Sequence, residues 1–591
     1  MLSLVLRNLR YYWRANLAVV FGVGVAVAVL AGALLVGESV RASLRGLFLQ
    51  RLGRASHVAS APNFFRERLA EDVRAAGGFA AAGFDDACPL VVGEGVVAHE
   101  ASGRRAAAVQ VYGVDARFWE FHGLPDAAAR APKRDEILLS PSLSRELGAA
   151  AGDAVVLRIE QPSDIPVESL HGRKDDVGSS ARLTVGETLA AAEMGEFSVR
   201  PRQGEVRAVF VPLASLQRSL DRVGRVNTIL FAARGEAPEG PEARAQTEGL
   251  REVLRGAATL EDLGLKLRAL DANRGLALES ESGLVGDALA GAAREAAGRT
   301  RMTAEPVLSY LANSIRANGR EVPYSVVTAV GEEAFGKFLN FKAESGVPPG
   351  FVVLNEWAAR ELGARPGDIV SMEYYVWEDE GRLSTREAEF PVLAVVPIEG
   401  LAADRDLVPE YPGITGARSL ADWDPPFPVD LSRIRPQDED YWDRYRTTPK
   451  ALVTLARGQE LWRSRFGSLT SMRLRPLNDS DGEPPPETFA AALRETLEPA
   501  AGLTVYPARA EGLEAARGAT DFGEYFLYFS FFIVVSALLL TALFFRLGVE
   551  QRLREIGLLG AVGFTAGRVR GIFLTEAVVL ALAGSLLGVP G

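Results

Sequence analysis

Three apolar runs constrain the fold of this chain more than any other feature, one near the N-terminus and two near the C-terminus. Residues 16–36 and 525–545 contain no charged residue, and 572–589 contain only one, Glu576. Because about 20 helical residues at a rise of 1.5 Å cross the ~30 Å hydrocarbon core of a bilayer, each run is long enough to span it. We therefore expect three membrane-spanning helices, with boundaries at 16–37, 525–546 and 572–591.

The charges that flank these runs predict the orientation of the chain. Arg7, Arg10 and Arg14 precede the first run, no acidic residue occurs before Glu38, and five arginines follow the second run. Since positive charge is retained on the cytoplasmic side, an amphipathic N-terminus (1–15) should be cytoplasmic and residues 38–522 extracytoplasmic. A cleaved signal peptide is the alternative, but its apolar region would be shorter, about 7–15 residues.

Gly24, Ala28 and Gly32 follow one another at four-residue spacing within the first run. This spacing places them on one helix face, where small residues let another helix approach closely in lipid. The alternative is that they reflect a general richness in glycine and alanine. We predict a helix-packing face at these positions.

The middle of the chain must be largely water-soluble, since mean hydropathy is only +0.07 over the whole chain. The net charge of −11 argues against a nucleic-acid partner. The single cysteine excludes an intrachain disulfide.

This middle region contains a tandem repeat. Residues 137–157 match 351–372, including the shared pattern E-L-G-x-x-x-G-D, and 207–231 match 450–474 in the same order. In both copies the pattern predicts a helix that ends at glycine, Gly148 or Gly363, followed by a tight turn into a strand. We predict an α+β membrane protein with transmembrane helices and a duplicated α+β region, made of copy 1 (38–270), copy 2 (271–510) and a stalk (511–524).

The second copy carries an additional segment at 397–449 that is rich in proline and aromatic residues. So many aromatic side chains predict an ordered loop and not a disordered one. Two roles remain open for Trp423, Phe427 and Trp442. They could contact a partner protein, because aromatic residues dominate binding hot spots, or they could fix the loop to its own domain.

Sequence motifs give no support for an enzyme. The four histidines and Cys88 are not at metal-ligand spacing. The chain has no G-x-S-x-G, no H-E-x-x-H and no G-x-x-x-x-G-K-[ST] pattern. We predict no catalytic, cofactor-binding or metal-binding residue, and no ATP site in this chain.

The segment 547–571 and the third apolar run resemble the FtsX/MacB/LolC-type ABC transporter permeases. The segments 111–119, E-L-G-x-x-x-G-D and 209–217 are similar to the periplasmic core domain of that family. The likeness near the membrane rests on Glu550, Arg552, Glu555, Ile556, Gly557, Gly560, Ala561, Gly563, Phe573, Glu576, Gly584 and Gly588.

The resemblance implies a multi-pass permease subunit in the bacterial inner membrane that is moved by a separate cytoplasmic ATPase, which binds the ATP. It also implies a permease dimer (homo- or hetero-), contact with membrane lipid, and a lipoprotein, lipid or other envelope cargo. The alternative function is an anchored periplasmic scaffold that regulates a partner such as a cell-wall hydrolase. The implied ATPase-coupling segment is 547–571, with Glu550, Arg552, Glu555, Ile556, Gly557, Gly560 and Gly563.

Two departures from the family pattern follow. The family has one periplasmic core domain, whereas this chain has two copies. The family also has four transmembrane helices, and this chain stops within the third at Gly591. The expectation is a truncated chain or a bundle that another polypeptide completes.

Overall fold

A computed structural model describes residues 2–159, 178–202, 204–270, 275–339, 350–378, 382–411, 413–423, 427–464, 467–477, 485–497, 502–516 and 522–589. The chain forms two compact units. The helical unit comprises Met1–Gly53, Ser198–Gly204 and Arg509–Gly591. The strand-rich unit comprises Arg54–Phe197 and Glu205–Ala508.

The helical unit begins with a short helix, α1 (Leu2–Tyr11), and a long one, α2 (Trp13–Leu52). The 40 residues of α2 correspond to about 60 Å at 1.5 Å per residue. The predicted span 16–37 is therefore only part of one continuous helix, and the strands of copy 1 begin at Ala55 and not at residue 38.

The first half of the strand-rich unit contains the elements β1 to β9. In chain order they are β1 (Ala55–Arg66), α3 (Leu69–Ala75), α4 (Gly77–Ala81), β2 (Phe84–His99), β3 (Arg105–Val114), α5 (Ala116–Phe121), α6 (Ala127–Arg130), β4 (Glu136–Leu139), α7 (Pro141–Leu147), β5 (Ala154–Ile159), β6 (Ser179–Thr188), β7 (Ala208–Pro212), α8 (Leu213–Ser219), β8 (Arg225–Ala233), α9 (Gly240–Ala257) and β9 (Leu265–Ala269).

The second half repeats this order. Its elements are β10 (Leu276–Ser280), α10 (Asp287–Arg299), β11 (Met302–Ala317), β12 (Arg320–Val330), α11 (Glu332–Phe338), β13 (Val352–Asn355), α12 (Glu356–Leu362), β14 (Ile369–Trp377), β15 (Leu383–Val396), α13 (Pro436–Tyr445), β16 (Ala451–Thr454), α14 (Leu455–Trp462), β17 (Ser471–Pro476), α15 (Pro486–Thr496) and β18 (Thr504–Tyr506).

Four helices complete the chain: α16 (Ala508–Ala516), α17 (Phe522–Glu550), α18 (Leu553–Ala561) and α19 (Ala566–Gly588). Three helices of the described chain are long and apolar enough to cross a membrane, at Trp13–Leu52, Ser530–Glu550 and Ala566–Gly588. The predicted stalk 511–524 overlaps α16, which packs in the helical unit. A Cβ on Gly512 would lie 1.9 Å from Cζ of Phe48, so this contact requires glycine. Residues 517–521 of the stalk lie outside the described residues.

Each half of the strand-rich unit contains a six-stranded barrel. The first runs β2-β3-β7-β4-β6-β5 and closes because β5 also pairs with β2. The second runs β11-β12-β16-β13-β15-β14 and closes through β11 and β14. Corresponding strands occupy corresponding places and have the same parallel pairs, β3–β7 with β12–β16 and β4–β6 with β13–β15. The internal duplication predicted from the sequence is confirmed.

The E-L-G-x-x-x-G-D elements adopt the predicted local structure in both copies. Helix α7 ends at Gly148 (φ 64°) and α12 at Gly363 (φ 63°), both in the left-handed region that favours glycine. The Asp153 carboxylate accepts a hydrogen bond from the Ala150 N–H at 2.8 Å, and Asp368 accepts one from the Arg365 N–H at 2.8 Å. These bonds fix the turn that leads into β5 or β14.

The strand that closes each copy belongs, by pairing, to the other copy. Strand β9 pairs with β10 of the second half, and β18 pairs with β1 of the first. Leu503 and Val505 accordingly lie in the core of the first half, and Leu265 lies in that of the second. The boundary predicted at 270/271 therefore separates two strands that pair with each other, β9 and β10. A repeat recognised from the order of sequence blocks does not show which sheet the last strand of each copy joins.

The segment 397–449 is fixed to the second half by buried ion pairs. Nη1 of Arg473 on β17 donates to the Asp404 carboxylate at 2.6 Å, and both side chains are almost fully buried. Arg268 on β9 donates to Asp406 at 2.6 Å and to Glu279 on β10 at 2.8 Å. Removing one partner of such a buried pair is costly because an uncompensated charge remains.

Candidate functional site

The polar residues nearest to the apolar helices meet where α1, α18 and α19 come together. Arg552 lies in the short link between α17 and α18, and Glu576 lies within α19. Nη1 of Arg552 donates to the Glu576 carboxylate at 2.6 Å, and both side chains are only 4% exposed. A buried pair of this kind needs further hydrogen bonds to offset the loss of hydration.

Helix α1 supplies those additional contacts. Nδ2 of Asn8 donates to the second carboxylate oxygen of Glu576 at 2.9 Å. The Tyr12 ring, which follows α1 directly, lies 3.8 Å from Cζ of Arg552, a short cation–π distance. The Tyr12 hydroxyl donates to the Glu555 carboxylate of α18 at 2.5 Å. We call Asn8, Tyr12, Arg552, Glu555 and Glu576 the Arg552 cluster; it joins three helices through polar contacts.

The far end of α18 is fixed by its glycine. Gly563 has φ 95°, a backbone conformation that residues with a Cβ atom rarely adopt. Its N–H donates to the Gly560 carbonyl at 3.1 Å, and the Phe564 N–H donates to the Leu559 carbonyl at 3.0 Å. This double hydrogen bond is the Schellman ending of a helix, and it turns the chain into α19.

Between these two fixed ends, α18 and the residue that follows it expose apolar side chains that nothing in the described chain covers. Leu553, Leu558 and Val562 are 64%, 67% and 71% exposed. Gly557 and Gly560 are exposed as well, with no atom within 4 Å of a Cβ placed on them. A helix of this length with exposed leucines and small residues suits docking of another protein surface.

The predicted coupling residues therefore fall into different environments. Arg552 and Glu555 belong to the Arg552 cluster, and Ile556 is half-buried. Glu550 ends α17, where its exposed carboxylate accepts a hydrogen bond from Arg546 at 3.0 Å. The sequence did not indicate Asn8 and Tyr12, because their partners lie more than 500 positions away. The one local signal for a shared role of Asn8 and Tyr12 is that they lie four residues apart in the amphipathic N-terminus.

The predicted packing face is used in part. A Cβ on Gly588 of α19 would lie 2.4 Å from the Gly24 carbonyl oxygen and 3.2 Å from the Ala28 nitrogen. A Cβ on Gly584 would lie 2.7 Å from Cβ of Val23. Helices α2 and α19 thus approach so closely that glycine is required on α19. Gly32 has nothing within 4 Å of a placed Cβ.

The structure places the three aromatic residues of the 397–449 segment in the interior of the second half. Trp423, Phe427 and Trp442 are 7%, 7% and 3% exposed. The Trp423 and Trp442 rings meet edge to face at 5.1 Å, and Trp423 packs with Tyr324 of β12. These rings fix the loop to its own domain, so they are not free to contact a partner.

Two histidines of the strand-rich unit, one buried and one half-buried, have no carboxylate partner among the described residues. His57 lies on β1 with Nε2 at 3.1 Å from the Thr247 hydroxyl, and burial lowers its pKa to about 4. Burial likewise lowers the pKa of His122 to about 3. Both rings are neutral packing elements at physiological pH. Within the described residues, no group of three or more His, Cys, Asp or Glu side chains could hold a metal ion.

Comparison with known families identifies two regions. Residues 17–248 match the MacB-like periplasmic core domain, and residues 527–591 match the FtsX-like permease C-terminal region. The second region contains α18, Arg552 and Glu576.

Solved structures give weaker similarities. One is the periplasmic region of MacB from Actinobacillus actinomycetemcomitans, at 9% identity and a TM-score of 0.22 over 35% of this chain and 87% of that chain. Another is a domain of a putative permease protein from Porphyromonas gingivalis, at 16% identity and a TM-score of 0.20 over 35% of this chain and 86% of that chain. No curated protein sequence matches the chain.

Proposed function

The chain belongs to the FtsX/MacB-type ABC transporter permeases, and on this premise we propose that it transmits the movement of a separate cytoplasmic ATPase to its strand-rich unit. The ATPase would bind and hydrolyse the ATP. The strand-rich unit would lie outside the cytoplasm of an inner-membrane protein and act on lipoprotein, lipid or other envelope cargo. A dimer of permease subunits would complete the assembly.

The observation that carries this proposal is the geometry of α18. Its apolar side chains Leu553 and Leu558 are exposed, and so is Val562 directly after it. Its start is anchored to α19 by the buried Arg552–Glu576 pair, and its end by the Gly563 turn. A short helix that is exposed to solvent and held at both ends could be displaced as a unit by a docked partner.

The Arg552 cluster explains how such a push would spread. Arg552 connects α18 to α19 through Glu576, and Tyr12 and Asn8 connect α1 to both helices. Helix α19 in turn contacts α2 through Gly584 and Gly588. Because these contacts are short and the Arg552–Glu576 pair is buried, a displacement of α18 would move α19 and α1 with it instead of being absorbed by local bending.

The test is whether α18 recruits an ATPase. Affinity-tagged full-length protein is purified from its own host, and bound proteins are identified by mass spectrometry. We expect a P-loop ATPase with the wild type and its loss in L558D, because a carboxylate would have to be buried in the apolar contact. L477D is the matched control, since Leu477 of the strand-rich unit is 60% exposed.

The scaffold alternative predicts a different outcome. If the protein regulated a partner without ATP-driven movement, L558D would leave its cellular function intact. The proposal is contradicted if no ATPase copurifies with the wild type, or if L558D and L477D retain it equally.

A further inference from the structure

The first barrel contains an open cleft beside α8. Its volume is about 390 Å³, within the range of about 300–1,000 Å³ typical of ligand pockets. The floor consists of buried aliphatic side chains from β5, β6, β7 and α8: Leu157, Ile159, Leu183, Val211 and Leu216.

The second barrel serves as an internal reference for this cleft. Strand pairing and the repeat align Ile159 with Tyr374, Leu183 with Phe390, and Ser219 with Trp462. The three aromatic residues of the second copy are 4%, 0% and 5% exposed, and the Trp462 and Tyr374 rings meet edge to face at 6.2 Å.

The duplication therefore produced one barrel in which large rings occupy these positions and one in which small or aliphatic residues leave space. Core packing does not require small residues at these positions, because the second barrel has the same strand order with large rings there. The cleft is thus a feature of the first copy and not of the fold.

The rim of the cleft is positively charged. Arg134, Arg182 and Arg218 line it together with one carboxylate, Asp135. Arg182 is paired with Glu100 at 2.7 Å, and among the described residues the Arg218 guanidinium donates to its own helix, at the Ala214 carbonyl and the Ser215 hydroxyl. Guanidinium groups above an aliphatic floor favour a ligand with an anionic head and an apolar tail.

We propose that this cleft binds a single-chain anionic amphiphile, with the acyl chain on the aliphatic floor and the acidic head at Arg134 and Arg218. The volume accommodates about 13 water-sized groups at about 30 Å³ each, so a medium-length chain of about a dozen carbons fits. This site lies wholly within the strand-rich unit and does not depend on ATP or on α18, so it stands or fails independently of the proposed function.

The test is photolabelling of the full-length protein in lipid nanodiscs with a dodecanoic acid that carries a diazirine, followed by peptide mapping. Labelling of α17 by probe dissolved in the bilayer is the internal reference. We expect labelling of peptides from α8 and β6, and at least a tenfold decrease in S219W/I159Y, which introduces the rings of the second copy.

Two further measurements test the head group and keep the proposal open to refutation if S219W/I159Y misfolds. R134Q/R218Q changes only exposed side chains and should reduce cleft labelling several-fold. The corresponding uncharged diazirine alcohol should label the cleft at least fivefold less than the acid. Equal labelling by the acid and the alcohol would overturn the proposal that the ligand is anionic. Cleft labelling that persists in S219W/I159Y, or that is absent from the wild type, would overturn the proposed site.

Discussion

Loss of the Glu576 carboxylate should release α18 from α19. In the E576Q variant, Arg552 keeps its charge in a site where its side chain is only 4% exposed. Two unit charges about 4 Å apart at an effective dielectric constant near 20 attract by about 4 kcal/mol. Breaking one side of a buried pair costs about 3–5 kcal/mol. The two figures agree, so we expect α18 to open more easily by about 4 kcal/mol.

Hydrogen exchange of the α18 amides measures this opening directly. Since about 1.4 kcal/mol corresponds to a factor of ten, exchange of the amides of residues 553–561 should accelerate by about 1,000-fold in E576Q, in nanodiscs and under conditions where exchange follows the opening equilibrium. E550Q is the matched control, because Glu550 pairs with Arg546 at the exposed end of α17. An exposed pair contributes at most about 0.5 kcal/mol, so exchange should change less than threefold.

The double variant R552M/E576L separates the pair from its individual members. It removes both charges and leaves apolar side chains of similar length, so it should restore most of the protection that E576Q loses. Equal acceleration of exchange in E576Q and E550Q would show that the buried pair contributes nothing to holding α18.

Three further predictions concern packing and charge. G584A should weaken the contact of α19 with α2 and lower thermal stability in nanodiscs, whereas G571A, with nothing within 4 Å of the added Cβ, should be neutral or stabilising. D404N should lower the free energy of unfolding of the strand-rich unit by about 3–5 kcal/mol, since it leaves Arg473 buried without its carboxylate; an unchanged denaturant midpoint would contradict this. His57 has a pKa near 4 in the folded protein and about 6.5 in the unfolded chain. The free energy of unfolding should therefore be unaffected by this group above pH 6.5 and should decrease by about 3 kcal/mol as the pH falls to 4, because the unfolded chain binds the proton first. H57Q should remove this part of the pH dependence of stability.

The large-scale organisation could be predicted from the sequence because it depends on local or periodic signals. The apolar runs gave the three candidate spans, and matching blocks in the same order gave the duplication. The glycine endings at Gly148 and Gly363 followed from backbone conformation alone. Each of these features can be recognised within one continuous stretch of sequence or by comparing two such stretches.

The features that sequence reasoning did not reach are long-range. The exchange of β9 and β18 depends on which sheet edge is free after folding, and both strands have the same local character. The contact of Asn8 with Glu576 joins the two ends of the chain. The open cleft in the first barrel is lined by residues of separate elements, among them Ser219 and Ile159, that come together only in the folded chain.

The most direct test of the central claim is a photo-crosslink from α18 in living cells. A photoreactive amino acid replaces Leu558, whose side chain is 67% exposed, and in a parallel strain it replaces Leu477 of the strand-rich unit. We expect the probe at Leu558 to crosslink to a P-loop ATPase and the probe at Leu477 not to do so. Recovery of only lipid, or of only a second copy of this chain, by the Leu558 probe would contradict the proposed docking of an ATPase on α18.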